Sequence, residues 1–291
     1  MRILRDGIWF GEGPRWHDGR LWYSDFYDHA VHAIDLDGQD ERIVEVASQP
    51  SGLGWLPNGD LIITSMLDRQ LLRWDGSNLH EYADLNSHFT WHANDLLVDA
   101  EGRAYVGNFG FDYEIFLEEH GVEGLFVDPD SLTTALCRVD PDGSVHVAAD
   151  GLIFPNGMVI TPDGRTLIVA ETLALRLTAF DVAADGSLSN RRVWADLTAE
   201  FAAPDGICLD AEGAVWIATA LAPRLLRVGE GGVILDEVAT SMNTYACMLG
   251  GPEGKHLFAM TAPSSDSRVA SLEQNGAIEV VEVEVPHAGQ P

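Results

Sequence analysis

Along this chain apolar residues come in short runs that stop at glycine-bearing turns, and the arrangement repeats. Residues 154–169 show the unit: an entry segment Phe154-Pro155-Asn156-Gly157, a run Met158-Val159-Ile160, the turn Asp163-Gly164, and a second run Leu167-Ile168-Val169. Asp-Gly and Asn-Gly pairs supply the positive φ angles of tight hairpins at little steric cost. The hairpin glycine recurs at Gly19, Gly59, Gly102, Gly164, Gly213 and Gly254, always behind Asp, Asn or Glu, at intervals of 40, 43, 62, 49 and 41 residues. Runs such as Leu21-Trp22-Tyr23-Ser24, Leu61-Ile62-Ile63-Thr64 and Ala214-Val215-Trp216-Ile217 follow these turns. Further turns, as at Asp37-Gly38, Asp75-Gly76 and Asp142-Gly143, close each unit.

Six units of three or four short strands, with no amphipathic helix of usable length, predict an all-β chain. One such sheet cannot bury both faces alone, whereas copies stacked radially can. The expectation is a six-bladed β-propeller with a central metal site, occupying residues 1–291 as a single domain. A sandwich needs only roughly seven to nine strands, far fewer than this pattern supplies. Ring closure requires the two termini to share a blade, and the alternating stretch Ile278 to Val285 is expected to be the closing strand or its neighbour, its glutamates suited to an edge. The third interval is the long one. Its extra residues, about 108–134, hold Phe109, Phe111, Tyr113 and Phe116, and read as a lid over one face of blade three.

Charge and cysteine usage narrow the partners. Against 17 basic residues stand 46 acidic ones, a formal charge of −29 that repels phosphate backbones and anionic lipid, so neither nucleic acid nor membrane is expected as a partner. Cys137, Cys208 and Cys247 are widely spaced in sequence and odd in number, which suits a reducing compartment better than a disulfide framework. The first residues lack an apolar signal core, and no apolar run approaches the roughly 18 residues of a membrane span, so the expected location is the cytoplasm. Nothing in the pattern sets an oligomeric state.

Eight residues before each hairpin glycine stand Gly11, Ser51, Asn94, Asn156, Asp205 and Ala246, with Glu12 one step after the first. These positions enter the innermost strand of each blade, so a ring brings them together near its axis. A glutamate, two asparagines and an aspartate form an all-oxygen cluster suited to a hard divalent cation and unsuited to structural zinc. Taken singly, Asn156-Gly157, Asn94-Asp95 and Asp205-Gly206 are ordinary turn pairs, and Ser51 a turn serine; the common register favours the site. His92 lies two residues before Asn94, placed either to touch substrate or act as a base, or to face water at the rim. Trp16, Trp55 and Trp216 read as inter-blade core. Neither G-x-S-x-G, H-E-x-x-H nor a phosphate-binding loop occurs.

The runs Gly11-Glu12-Gly13-Pro14, Phe154-Pro155-Asn156-Gly157, Pro204-Asp205-Gly206 and Cys247-Met248-Leu249-Gly250-Gly251-Pro252 resemble, in this order, the motifs of the SMP-30/gluconolactonase/luciferin-regenerating-enzyme family over essentially the whole chain. The resemblance implies one catalytic divalent cation in the central channel, often Ca²⁺, with Mg²⁺, Mn²⁺ or Zn²⁺ as alternatives. It implies Glu12, Asn156 and Asp205 as metal ligands, Asn94 as a substrate contact, and Asp205 as general base. The implied reaction is hydrolysis of a small lactone, a sugar lactone such as gluconolactone or a more apolar ring. A phosphotriester or other ester hydrolase on the same metal, and a non-catalytic cation-binding scaffold, are the alternatives. The family's Arg-x-Asn-Asp-Gly is here His92-Ala93-Asn94-Asp95-Leu96, which weakens the case for sugar hydroxyls. Phe89, Trp91, Phe109, Phe111 and Phe154 nearby suggest a more apolar mouth.

Overall fold

The computed structural model describes residues 1–289; the last two positions of the expected 1–291 domain lie outside the described residues. Six four-stranded antiparallel sheets stand as the blades of a β-propeller. Each expected hairpin turn forms, and all six hairpin glycines hold φ between +69° and +90°. The first strands of the blades are Gly11–His17, Pro50–Trp55, Ala93–Val98, Pro155–Ile160, Pro204–Leu209 and Asn243–Gly250, and each packs against the first strand of the next blade around the ring.

The core follows from this stacking. Leu53, Leu61 and Ile63 meet Trp22 and Val31 between blades one and two, and Val159 and Ile168 meet Ile207, Val215 and Ile217 between blades four and five. Trp216 is fully buried, Trp16 stacks on Phe258 at 5.6 Å and Trp55 on His17 at 4.0 Å, which bears out the core reading of the tryptophans.

Ring closure bears out the blade shared by the two termini and corrects only the edge reading of the glutamates. The strand Gly276–Glu282 is the third of blade six, and the N-terminal strand Arg2–Ile8 is laid outside it as the fourth, with Arg2 opposite Val280 and Asp6 opposite Ala277. Glu279 is therefore no edge charge. It is buried, accepting from the Ser241 amide and hydroxyl at 3.0 and 2.7 Å and from Thr261 Oγ1 at 3.2 Å.

The expectation of no usable helix is also corrected. The long interval contains a helix, Tyr113–Gly124, capped by Asp112, whose carboxylate accepts from the Ile115 amide at 3.0 Å. Gly121 interrupts it at φ +67°, and only Leu117 among its residues is buried, so it offers little of the apolar periodicity by which helices are read. Its support is tertiary: Leu117 and Leu125 join Ile153, Phe154 and Leu173, flanked by Phe111, Phe116 and Phe126. The base is tied where Thr134 Oγ1 donates to Asn108 Oδ1 and Asn108 Nδ2 donates to the Ala135 carbonyl, both at 2.8 Å. The third strand of this blade then runs Thr133–Val139.

Glu171 ends the second strand of blade four and anchors the segment that enters the site. It is fully buried, accepting from the Ile153 amide at 2.8 Å, from Arg176 through two bonds of 2.9 Å, and from Thr178 Oγ1. Burial pushes its carboxyl up, but the bonds from Arg176, Thr178 and Ile153 outweigh it and hold the group below its ordinary range. A depressed folded pKa gives stability that is present above the unfolded value and lost as pH falls through the folded one. Glu171→Gln is expected to cost about 3 kcal/mol of unfolding free energy at pH 7, read by urea denaturation. The deficit should shrink as pH is lowered below the ordinary glutamate range.

Candidate metal centre and substrate cavity

Glu12, Asn94, Asn156 and Asp205 all open onto one cavity of about 210 Å³ at the axis. They stand on the first strands of blades one, three, four and five, each no more than 7% exposed. The pairs Asn156-Gly157 and Asp205-Gly206 do not make turns. They lie inside strands, and the glycines serve close approach between blades. A Cβ on Gly157 would come within 2.6 Å of the Asp205 carbonyl oxygen, and one on Gly52 within 2.2 Å of the Leu96 nitrogen. Blade three breaks the pattern by placing Asp95 where neighbouring blades have glycine.

A directed chain of hydrogen bonds joins these strands. Ser24 Oγ donates to the Ser51 carbonyl at 2.6 Å, Ser51 Oγ to Asn94 Oδ1 at 3.1 Å, and Asn94 Nδ2 to Asn156 Oδ1 at 3.1 Å. Asn156 Nδ2 donates to Thr172 Oγ1 at 3.2 Å, and Thr172 Oγ1 to the Pro204 carbonyl at 2.8 Å. The single Thr172 proton goes to Pro204, so its oxygen must accept from Asn156. That fixes the Asn156 amide with its carbonyl oxygen turned the other way. Ser51 is thus a buried member of the ring rather than a turn serine.

The electrostatics are one-sided. Burial raises the Glu12 carboxyl well above its ordinary range, and repulsion from Asp205 and Asp95 adds to it. Burial and then Asp95 do the same to Asp205, against bonds from Asn156 and the Gly206 amide. Asp95 Oδ1 is buried without a partner, and burial raises that carboxyl too. Against these three stands Arg15, buried, donating to the Leu96 and Pro14 carbonyls at 2.7 and 2.8 Å.

Among the described residues no three His, Cys, Asp or Glu side chains form a ready-made ligand cage. The axial set offers two carboxylates and amide oxygens, a hard-oxygen set whose excess negative charge fits a divalent cation with water completing its shell.

His92 also lines the cavity. It stacks on Trp91 at 4.9 Å and lies 5.8 Å from Phe109. Burial lowers its pKa, so the ring is neutral at pH 7. Phe109 and Phe154 line the cavity as the apolar-mouth reading expects, whereas Phe89 belongs to the core between blades two and three. Sequence reasoning missed Thr172, Asp95 and Tyr245 as site residues and placed Tyr113 only within the insertion. Thr172 follows the second strand of blade four, outside the register that located the others. Asp95 was in view only as half of a turn pair. Tyr113 reaches across the mouth to Ser265, with the hydroxyl oxygens 3.5 Å apart. Cys208 and Cys247, distant in sequence, stand on adjacent first strands with sulfurs 3.8 Å apart, both as free thiols.

The family model described as SMP-30/Gluconolactonase/LRE-like region matches residues 10–263. Regucalcin of Danio rerio is 29% identical over 277 residues, covering 89% of this chain and 85% of its own. A pentonolactonase of Haloferax volcanii is 26% identical over 273 residues, covering 90% and 84%. A crystal structure of regucalcin from Agrobacterium tumefaciens, described as a calcium-binding protein, superposes with a TM-score of 0.78 over 100% of this chain and 96% of that one, at 21% identity. No helix among the described residues is long and apolar enough to cross a membrane.

The axial carboxylates make stability depend on pH when divalent cations are chelated. Raised folded pKa values mean that stability is fully present below the ordinary carboxylate range and lost as pH rises through the folded values. In chelator, Asp205→Asn is therefore expected to raise the melting temperature at pH 8 and to leave it nearly unchanged near pH 4. A melting temperature that falls at pH 8 in the variant would refute the repulsion.

Proposed function

Because this chain belongs to the SMP-30/gluconolactonase/LRE-like family, we propose that it is a metal-dependent hydrolase that opens a small lactone to its hydroxy acid. The observation that supports the reading is the meeting of Glu12 and Asp205 with two amides in one cavity, buried, with Asp95 beside them and the single Arg15 against the three carboxylates. Glu12, Asn156 and Asp205 would hold one divalent ion, and the calcium-binding description of the Agrobacterium regucalcin favours Ca²⁺ over Mg²⁺, Mn²⁺ or Zn²⁺. When bound, the cation supplies a Lewis acid for the ring carbonyl and lowers the pKa of water. The pentonolactonase relative supports a lactone as substrate.

The chain's own residues then have distinct tasks. Asp205 takes a proton from the water whose oxygen adds to the carbonyl carbon. The acyl C–O bond of the ring breaks, and the ring oxygen leaves as the new hydroxyl, receiving the proton that Asp205 carries. Glu12 would hold the cation opposite it. Asn94, held between Ser51 and Asn156, orients the ring with a fixed amide, and neutral His92 borders it as a hydrogen-bonding contact. Thr172 positions Asn156 and touches no reacting atom.

A general base contributes about 10²- to 10⁴-fold, so Asp205→Asn is expected to lose at least that factor in kcat. The measurement is acid release from a lactone panel by chelator-stripped protein, with Ca²⁺, Mg²⁺, Mn²⁺ or Zn²⁺ restored singly. Full turnover by the cation-loaded variant would remove Asp205 as base. Turnover of phosphotriesters but of no lactone would change the ester class, and cation-dependent stability without turnover of any ester would leave a binding scaffold.

A further inference from the structure

The central cavity is walled largely by apolar side chains. Toward blades three and four its wall is hydrocarbon: Phe109, Val122, Leu125, Phe126, Phe154 and Leu173. Phe109 stacks on Phe154 at 4.8 Å, and Leu125, Phe154 and Leu173 are buried, so this wall is packed in place. Four of its members, Phe109, Val122, Leu125 and Phe126, come from the insertion. Across the cavity Asn243, Ser264 and Ser265 add polar groups among Phe10, Phe26, Met66 and Leu221.

The charges are uneven. Among the described residues, the acidic side chains lining the cavity are Glu12, Glu114 and Asp205, and neither lysine nor arginine lines it. A phosphorylated or carboxylated substituent would meet the Glu114 carboxylate and find no lysine or arginine to pair with. A polyhydroxylated ring pressed on the hydrocarbon wall would lose water from its hydroxyls and gain no partner there, whereas a hydrocarbon substituent would gain from the same wall. At about 210 Å³, the space is below the usual range for a drug-sized ligand, which limits the guest to one ring and a short substituent.

We infer that the lactone opened here is uncharged and carries a short alkyl or aryl substituent, and that the insertion selects it through Val122, Leu125 and Phe126. The inference rests on the lactonase reading above and narrows it. Each methylene matched by an apolar pocket discriminates by about 10- to 200-fold in kcat/KM. The ring is engaged by the axial residues and the substituent by the insertion, so the two recognitions are separable by mutation.

The test compares γ-phenyl-γ-butyrolactone, unsubstituted γ-butyrolactone, glucono-1,5-lactone and 6-phosphogluconolactone, with the divalent cation that best supports turnover. The phenyl lactone is expected to exceed gluconolactone in kcat/KM by about tenfold or more, with the phosphorylated lactone slowest. Phe126→Ala should lower kcat/KM for the phenyl lactone about tenfold, chiefly through KM, while γ-butyrolactone stays within about twofold. Val122 is 48% exposed, so Val122→Asn changes the wall without opening the core and should act in the same direction. Equal or better turnover of gluconolactone or its phosphate, or equal losses on both butyrolactones in the two variants, would overturn the substrate class and leave the lactonase reading standing. Failure on all four rings would bring down both.

Discussion

Everything at the axis depends on how closely adjacent first strands approach. A Cβ at Gly52 or Gly157 would run into the backbone of the next blade, so these positions admit hydrogen and little else. That contact sets the distance from each blade to its neighbour, and hence how near Ser51, Asn94, Asn156 and Asp205 can come. The hydrogen-bond chain from Ser24 to the Pro204 carbonyl then removes the remaining freedom. Backbone packing supplies the distance and polar bonding the orientation. A side chain added at either glycine would be felt first in the geometry of the site.

The charge at this centre has to be understood against that rigidity. Glu12, Asp95 and Asp205 are at most 7% exposed, too buried for water to screen them, and Arg15 spends two of its donors on backbone carbonyls. Like charges held so would spread apart in a soft structure. Here they cannot, because the strands that carry them are fixed by their neighbours, so burial first and repulsion second keep the Glu12 and Asp205 carboxyl pKa values raised. Preorganisation of this kind suits cation binding: the unfavourable field exists before the ion arrives, and little rearrangement follows.

How much of this was legible in the sequence depended on whether a feature repeated. The hairpin glycines recur with each unit, so the blades, their first strands and the converging positions Glu12, Asn94, Asn156 and Asp205 could be read from spacing. Features present once could not. The helix Tyr113–Gly124 draws its stability from aromatic residues outside it and is broken at Gly121, so no regular stripe announced it. Thr172 acts from beyond the register, and Asp95 looked like half of a turn pair because Asn-Asp is common in turns. The glycines beside Asn156 and Asp205 were visible but ambiguous, since turn geometry and close packing both demand glycine. The placement of Arg2–Ile8 outside Gly276–Glu282 was hidden as well: either terminal strand could have taken the outer position, and only their pairing decides it.

The insertion and the ring therefore answer to different constraints. A residue on a first strand is held by two neighbouring blades, and changing it disturbs the axis directly. Residues 109–132 lie between two strands of one blade, tied at the base by Asn108 and Thr134, and touch the cavity without shaping the ring. Such a segment can alter length and apolar content while the axial carboxylates stay where they are. In this chain it presents Val122, Leu125 and Phe126 to the cavity that Glu12 and Asp205 also line, so in the proposed reaction the part that is free to vary would face the substituent and the part that is not would face the bond to be broken.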